Sequence, residues 1–309
     1  MIEFMDPKYD TAFKKLFGAE NLKNVTIAFL NAILEYKGDA CIESIRFLNN
    51  ERQGLEIGCK KTILDVHCTD KKGRQFIIEM QNAYEAAFDS RLFLYAAKTY
   101  AEQFKEGARY TKIKPVIVLA ITKGFTVFPK KKSYKSIHVM LDKDSYEHDF
   151  KGLTLALVEL PKFNKTEKEL KTNEDKWLFL LKEINHCHEV PAALRKAEFA
   201  EACQALNKMT WSAQEVAIYE KNMLKEQAIE ATQEELDAAI KKAEKALTEG
   251  MAQGMAQGMA QGMAEGKTQA MQELAKKLLA EGMSVERVAT LTGLSVEEIK
   301  WLCYCIERV

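Results

Sequence analysis

Two acids stand in the middle of an otherwise hydrophobic β-hairpin, in the segment LDVHCTDKKGRQFIIEMQ (64–81). Strand interiors are depleted of Asp and Glu, so Asp65 and Glu79 require an explanation. Side chains alternate between the two faces of a strand, which predicts that Leu64 and Val66 share one face. Asp65 and Glu79 then lie on the opposite face, where a polar cluster can form.

The turn of the hairpin determines which residues oppose each other. A three-residue loop, KKG (71–73), with glycine in the left-handed conformation predicts that His67 pairs with Ile77 and Asp65 with Glu79. Opposed residues have Cβ atoms roughly 4.5–5.5 Å apart, and two carboxylates that close repel unless a cation neutralises them. Mg²⁺, or Mn²⁺ in its place, binds through one or two carboxylates while keeping several waters. The pair therefore predicts a metal site, with His67 as a neighbour of the metal rather than a ligand. The alternative is an exposed sheet face that carries two unpaired acids.

Periodicity along the chain predicts the elements that position this pair. Helical spacing predicts helices over residues 7–17, 21–36 and 86–105. Strand patterns occupy 41–48, 62–68, 75–81, 115–121, 136–141 and 153–160. The run PVIVLAI (115–121) has the continuous apolar character of a central strand buried on both faces. This order of elements predicts an α/β or α+β domain over residues 1–160.

The composition changes after Pro161, and residues 161–249 form a helical region rich in Lys, Glu and Ala. A repeat, GMAQGMAQGMAQGMAEG, follows at 250–266. Each glycine costs about 1 kcal/mol relative to alanine in a helix, so the repeat is predicted to be a linker or a weak self-association helix. Homo-oligomerisation through the C-terminal helices is then possible.

Residues 267–309 are predicted to form a small helical segment, and residues 284–301 within it have the outline of a helix-turn-helix. Ser295 and Glu298 have the spacing of a capping box for its last helix. That helix offers Glu297 and Glu298 against Lys300 alone, whereas contact with phosphates requires basic residues. Packing or partner contact is therefore favoured over DNA reading by this segment.

The overall charge is uninformative, because Lys plus Arg and Asp plus Glu both number 45. A slight basic excess in the first 160 residues predicts that any nucleic-acid surface lies there. The seven cysteines include no CxxC pair, and no apolar run reaches the roughly 18–20 residues of a membrane span. We therefore expect a soluble, cytoplasmic protein without membrane contact and with reduced thiols.

Several segments resemble the Rpn family of recombination-promoting, transposase-like nucleases, which belongs to the PD-(D/E)XK nuclease superfamily. They are DPKYDTAFKKLFG (6–18), FLNAIL (29–34), KKTILDV (60–66), IIEMQNA (77–83) and RLFLYAAKTYAEQF (91–104). The glycine repeat followed by EGMSVERVATLTGLSVEEI (281–299) resembles the C-terminal tail of that family in general character rather than in a specific motif. The resemblance implies a restriction-endonuclease-like PD-(D/E)XK core with a helical C-terminal extension. It also implies a Mg²⁺-dependent DNA endonuclease linked to recombination or mobile elements.

The resemblance further implies the roles of individual residues. Asp65 and Glu79 would hold the metal, Gln81 takes the place of the usual lysine, and Asp10 is the candidate acid of the first helix. Asp10 could instead cap that helix. Gln81 is neutral, so it can hydrogen-bond a water but cannot lower the pKa of that water as an ammonium group could.

Three basic residues are candidate phosphate contacts. Lys61 could also compensate for the positive charge that is missing at Gln81. Arg91 could instead pack against the protein or form a salt bridge. Lys131 belongs to a basic run that could simply be a solvated loop. The alternative function is a catalytically inactive member of the fold that acts as a DNA- or protein-binding module.

Overall fold

The computed structural model describes residues 2–49, 51–52, 62–82, 87–104 and 109–306. The α-helices are α1 (Asp10–Gly18), α2 (Lys23–Ile33), α3 (Phe88–Ala101), α4 (Asn173–Glu183), α5 (Ala197–Leu206), α6 (Ala213–Ala280), α7 (Val285–Thr292) and α8 (Val296–Ile306). The strands are β1 (Ile45–Phe47), β2 (Glu51–Arg52), β3 (Thr62–Ile63), β4 (Val66–Asp70), β5 (Gln75–Gln81), β6 (Val116–Thr122), β7 (Lys135–Val139) and β8 (Leu153–Glu159). Contacts divide the chain into two compact units, 1–233 and 234–309.

A mixed six-stranded sheet forms the centre of the first unit, with the strand order β1-β4-β5-β6-β8-β7. Strands β5, β6 and β8 run parallel, whereas β1, β4 and β7 pair with antiparallel neighbours. Every residue of β6 is buried, which confirms the central strand predicted from PVIVLAI. The α/β fold class is thereby confirmed for this unit.

Helices cover both faces of the sheet, because the side chains of its strands are apolar in both directions. On one face, α1, α2, α4 and α5 pack against Val66, Ile78 and Leu119. On the other face, α3 packs through Phe88, Leu92 and Ala96 against Ile77 and Val118. The alternation of Ile77 and Ile78 between two separate cores shows the period of two that defines a strand.

Aromatic side chains join the helices of the larger core. Phe17 lies 4.4 Å from Phe29 between ring centroids, Trp177 lies 5.7 Å from Phe29, and Phe199 lies 4.7 Å from Trp177. Trp177 and Phe199 are both fully buried. Because burying a large apolar side chain contributes about 1.5–3 kcal/mol, α4 and α5 are integral to the core that supports the sheet.

The β4–β5 hairpin has the predicted register. His67 pairs with Ile77, and Gly73 adopts the left-handed conformation with φ +79°. Strand β4 begins only at Val66, however, because the chain bends at Asp65. Leu64 consequently packs with Ile77 on the α3 side, so the prediction that it shares a face with Val66 is wrong.

The second unit contains the C-terminal part of α6 together with α7 and α8. Ala275, Val288, Ile299 and Leu302 form its small core. Gly293 ends α7 with φ +71°, and the predicted capping box is present, since Ser295 Oγ accepts from the Glu298 amide while the Glu298 carboxylate accepts from Ser295. The glycine repeat is helical, and its four methionines are 68–78% exposed. No helix in the described part of the chain is long and apolar enough to cross a membrane.

Candidate active site

The bend before β4 brings Asp65 against Glu79. The last ladder pair of the hairpin is Val66 with Ile78, and the next residue on each strand belongs to the acid pair. The Asp65 amide donates to Glu79 Oε1 at 3.2 Å, and the Met80 amide donates to Asp65 Oδ2 at 2.8 Å. The structure therefore brings together the two residues that the hairpin register predicts to face each other.

Burial makes both carboxylates reluctant to ionise. Burial, with a smaller contribution from the charge of nearby Asp10, raises the pKa of Asp65 to about 6. Burial also raises the pKa of Glu79, which is only 6% exposed, and the charge of Asp65 adds to that increase. The Met80 amide, Lys14 and Arg91 act in the opposite direction on Asp65. Two acids in this position favour a cation between them.

Lys14 links the first helix to the acid pair, and it is absent from the predicted site. Its Nζ lies 2.6 Å from Asp10 Oδ1 and 3.8 Å from Asp65 Oδ1. Burial lowers the pKa of Lys14, but the hydrogen bond and charge of Asp10, with Asp65 and Glu79, outweigh that effect and hold the pKa above its ordinary value. The i, i+4 spacing of Asp10 and Lys14 in DPKYDTAFKK is the sequence signal that could have identified this ammonium group.

Gln81 lies on the face of Glu79, and its carbonyl oxygen accepts a hydrogen bond from Arg91 Nη2. Arg91 is on α3, and its charge lowers the pKa of both Asp65 and Glu79. A guanidinium thus lies next to the position where a lysine would stand in an E-x-K motif. Arg91, a predicted phosphate contact, thus reaches the site through its hydrogen bond with Gln81.

The remaining predicted residues are distributed differently. Asp10 begins α1 and reaches the pair through Lys14. His67 is buried and bonds Gln75 Oε1 at 2.9 Å. Lys131 lies over the Phe128 ring at 4.4 Å, and within the described residues it has no contact with the acid pair. Lys61 lies outside the described residues.

Helix α6 contributes a further acid that sequence reasoning missed. Glu226 Oε1 accepts from the Asp10 amide at 3.3 Å, and its other oxygen accepts from Asn82 Nδ2. One turn further along α6, Glu230 forms an ion pair with Lys123, whose Nζ lies 2.8 Å from Glu230 Oε1. Nothing in the Lys- and Glu-rich sequence around Glu226 distinguishes it from its solvated neighbours, because the contact is long-range.

The donor set of the acid pair fits a hard divalent cation. Carboxylate oxygens are the ligands of Mg²⁺ and Mn²⁺, and Asn82 Oδ1, next to Gln81, is buried without a hydrogen-bond partner among the described residues. No group of three or more His, Cys, Asp or Glu side chains within the described ranges has the arrangement of a complete metal cage. A site with two carboxylates and several waters agrees with both observations.

Comparison with protein families identifies the chain. The family model of the PD-(D/E)XK nuclease family transposases matches residues 7–239, which include the sheet, the acid pair and Glu226. The chain belongs to the PD-(D/E)XK nuclease family transposases. A second model, the C-terminal HTH domain of the Rpn/YhgA-like nuclease family, matches residues 268–303. Both the predicted Rpn family membership and the helix-turn-helix outline are confirmed.

The family match covers more of the chain than the predicted nuclease domain of residues 1–160. It includes α4, α5 and the first part of α6, which is the region that completes the core. No curated protein and no solved structure gives a significant match. Members of this nuclease superfamily generally use divalent metal ions.

Proposed function

We propose that the chain is a metal-dependent DNA endonuclease that hydrolyses phosphodiester bonds in the course of recombination or mobile-element activity. The observation that carries the proposal is the buried contact between Asp65 and Glu79, flanked by Lys14 and Arg91. A buried and a half-buried acid beside two cations suit a site that holds a divalent metal and a phosphate at the same time. DNA is the proposed partner.

Asp65 and Glu79 would hold Mg²⁺ or Mn²⁺ through their carboxylate oxygens. The chemistry that the bound cation supplies is polarisation of the phosphate and activation of a water. Arg91 presents a planar guanidinium that suits a phosphate oxygen, and Gln81 can orient a water by hydrogen bonding. Lys14 places its ammonium beside Asp65, where it can stabilise negative charge that develops on the phosphate. The candidate phosphate contacts Lys61 and Lys131 would attract the DNA backbone through their positive charge.

The described cysteines agree with a reducing cytoplasm. Cys41, Cys68, Cys187, Cys203 and Cys303 form no disulfide, and burial raises the pKa of Cys68 and of Cys203 to about 12. Such thiols are unreactive at neutral pH. We propose that the reaction takes place in the cytoplasm, where thiols remain reduced.

A divalent-metal titration tests the proposal. Plasmid DNA is incubated with the full chain and Mg²⁺ or Mn²⁺, with EDTA as the control, and the melting temperature of the protein is measured over the same range of metal concentration. We expect cleavage only with metal, and a rise in melting temperature because metal binds the folded state alone. Binding of DNA without cleavage or metal stabilisation would instead favour the inactive binding module.

A further inference from the structure

A cavity lies on the α3 face of the sheet, outside the acid pair. It has a volume of about 470 Å³, within the roughly 300–1,000 Å³ typical of sites for small organic groups. Its walls are mainly apolar and aromatic, and the aromatic rings are those of Phe88, Phe93 and Phe128. His138 also lines it, with its ring 5.3 Å from that of Phe128.

The wall that carries Phe128 is held in place by a buried acid. Glu159, only 2% exposed, accepts from the Val127 amide at 2.6 Å and from the Phe128 amide at 3.1 Å. Lys162 pairs with Glu159 at 2.6 Å and also donates to the Phe128 carbonyl at 2.7 Å. The backbone of Phe128 is thus fixed at both its amide and its carbonyl. A preorganised aromatic wall of this kind reduces the entropy lost when a flat ring binds.

A run of three lysines follows the cavity-lining residue Phe128 closely along the chain. Lys130, Lys131 and Lys132 are exposed, and Lys131 Nζ lies over the Phe128 ring. None of the three forms an ion pair within the described part of the chain, whereas Lys135, further along, pairs with Glu35 and Glu174. Among the described residues that line the cavity, Asp89 supplies one carboxylate, against the three lysines of the run.

One turn of α3 both lines the cavity and contacts Gln81 beside the acid pair. Phe88, Asp89 and Ser90 line the cavity, and the next residue, Arg91, bonds Gln81. A ligand in the cavity would therefore lie about one helical turn from the guanidinium proposed to contact phosphate. An aromatic ligand that is covalently attached to a phosphate fits this arrangement.

We infer that the cavity takes an unstacked base of a DNA strand, with Lys131 and its neighbours in the exposed lysine run holding the phosphates on either side of that base. The inference rests on the proposed function and specifies its substrate as DNA with at least one base out of the helical stack. Aromatic side chains stack on any base, and polar groups at the rim, Asp89 and Ser90, can bond the edge of the base. The lysines supply the sequence-independent attraction for the backbone.

Binding measured without metal tests the inference separately from cleavage. The probes are a short fluorescent single-stranded DNA of mixed sequence and an abasic strand of equal length and charge, both in EDTA with the full chain. We expect the wild type to prefer the base-containing strand by about fivefold or more, the lower end of the effect of one stacked base. Phe93→Ala and Phe128→Ala should lose that preference, and Lys131→Gln should weaken binding of both strands equally.

Phe150→Ala is the matched control, since this ring is 76% exposed and does not line the cavity; it should keep the preference. Phe93 is 55% exposed, so its variant should remain folded even if the Phe128 variant does not. Equal binding of both strands by the wild type would overturn the inference. If the folded Phe93 and Phe128 variants retained the preference, the inference would also be overturned. The same holds if these variants changed only the oligomeric size of the protein, because a second copy of the chain would then occupy the cavity. Plasmid cleavage with Mg²⁺, measured on the same preparations, shows independently whether the proposed endonuclease activity exists.

Discussion

At the scale of single residues, the site is a balance between burial and charge. Burial raises the pKa of Asp65 and of Glu79, and the positive charges of Lys14 and Arg91 only partly offset that increase. Because burial and the proximity of a second carboxylate both disfavour the ionised form, the metal-free protein has a destabilised pair of acids at neutral pH. A divalent cation would remove this cost, so metal binding should contribute directly to the stability of the fold.

Removing either acid should separate catalysis from stability. We expect Asp65→Ala and Glu79→Ala each to lower the DNA cleavage rate by about 100-fold or more, the size of effect seen when a group that stabilises the transition state is removed. Each variant should also lose the metal-dependent rise in melting temperature. Without metal, neither should melt far below the wild type, because the repulsion between the acids is relieved.

The control for these variants is Glu43→Ala, which removes a 76% exposed side chain from the same unit. It should cleave DNA like the wild type. Wild-type cleavage by the Asp65 and Glu79 variants would show that the acid pair is not the active site.

Arg91 and Gln81 should act as a pair. Gln81→Lys alone would place an ammonium against the Arg91 guanidinium, which now donates to Gln81, so we expect a lower melting temperature. Gln81→Lys combined with Arg91→Gln moves the charge to the strand and should restore stability while keeping cleavage. Thermal melting and cleavage rates of both single variants and the double variant measure the coupling between them. Purely additive effects would show that the hydrogen bond carries no role.

At the scale of secondary structure, local patterns predicted the hairpin and the central strand, but not the bend. The left-handed Gly73 and the alternation of β5 are encoded within a few residues. The bend at Asp65 is accompanied by a hydrogen bond that the Met80 amide donates to the Asp65 carboxylate, and strict alternation cannot reveal such a contact. Glu226 escaped prediction for the same reason, because its partner Asp10 is 216 residues away.

Glu226 should make stability depend on pH. Burial raises its pKa to about 7 from an ordinary 4.5, although the Asp10 amide opposes this. The folded protein therefore binds this proton more tightly than the unfolded chain does, and stability should fall as pH rises from about 4.5 to about 7. Glu226→Gln should flatten that part of the profile, measured by urea unfolding at a series of pH values. An unchanged slope in the variant would contradict this role for Glu226.

The glycine repeat should gain helical stability from alanine. A Cβ added at Gly254, Gly258 or Gly262 would meet no atom within 4 Å, so each substitution should stabilise the helix by about 1 kcal/mol. Circular dichroism during thermal unfolding measures the gain for the triple variant. Gly293→Ala is the control, because its φ of +71° makes alanine unfavourable, and this variant should lose stability. Loss of stability in the triple variant would indicate that the glycines contact another helix closely.

At the scale of the whole molecule, the sheet is supported by helices that lie far from its first strands in the sequence. Residues 161–233 lie in the same compact unit as the sheet, and Trp177 and Phe199 share its core with Phe17 and Phe29. The change in composition after Pro161 is real, but it marks a change of secondary structure within one core. Composition reports solvent exposure and helical propensity, and long-range packing leaves no comparable local signal.

Truncation should distinguish the part of the chain that folds and cuts DNA from the part that associates. A chain ending at residue 160 lacks Trp177, Phe199 and Glu226, so it should expose the apolar faces of α1 and α2 and aggregate. A chain ending near Leu247 keeps the whole first unit and should retain both metal-dependent stabilisation and cleavage. It lacks the exposed methionines of the repeat, so size-exclusion chromatography should show a smaller oligomer than the full chain gives. Loss of cleavage in this chain at high protein concentration, with its oligomeric size unchanged, would instead mean that the C-terminal residues belong to the catalytic unit.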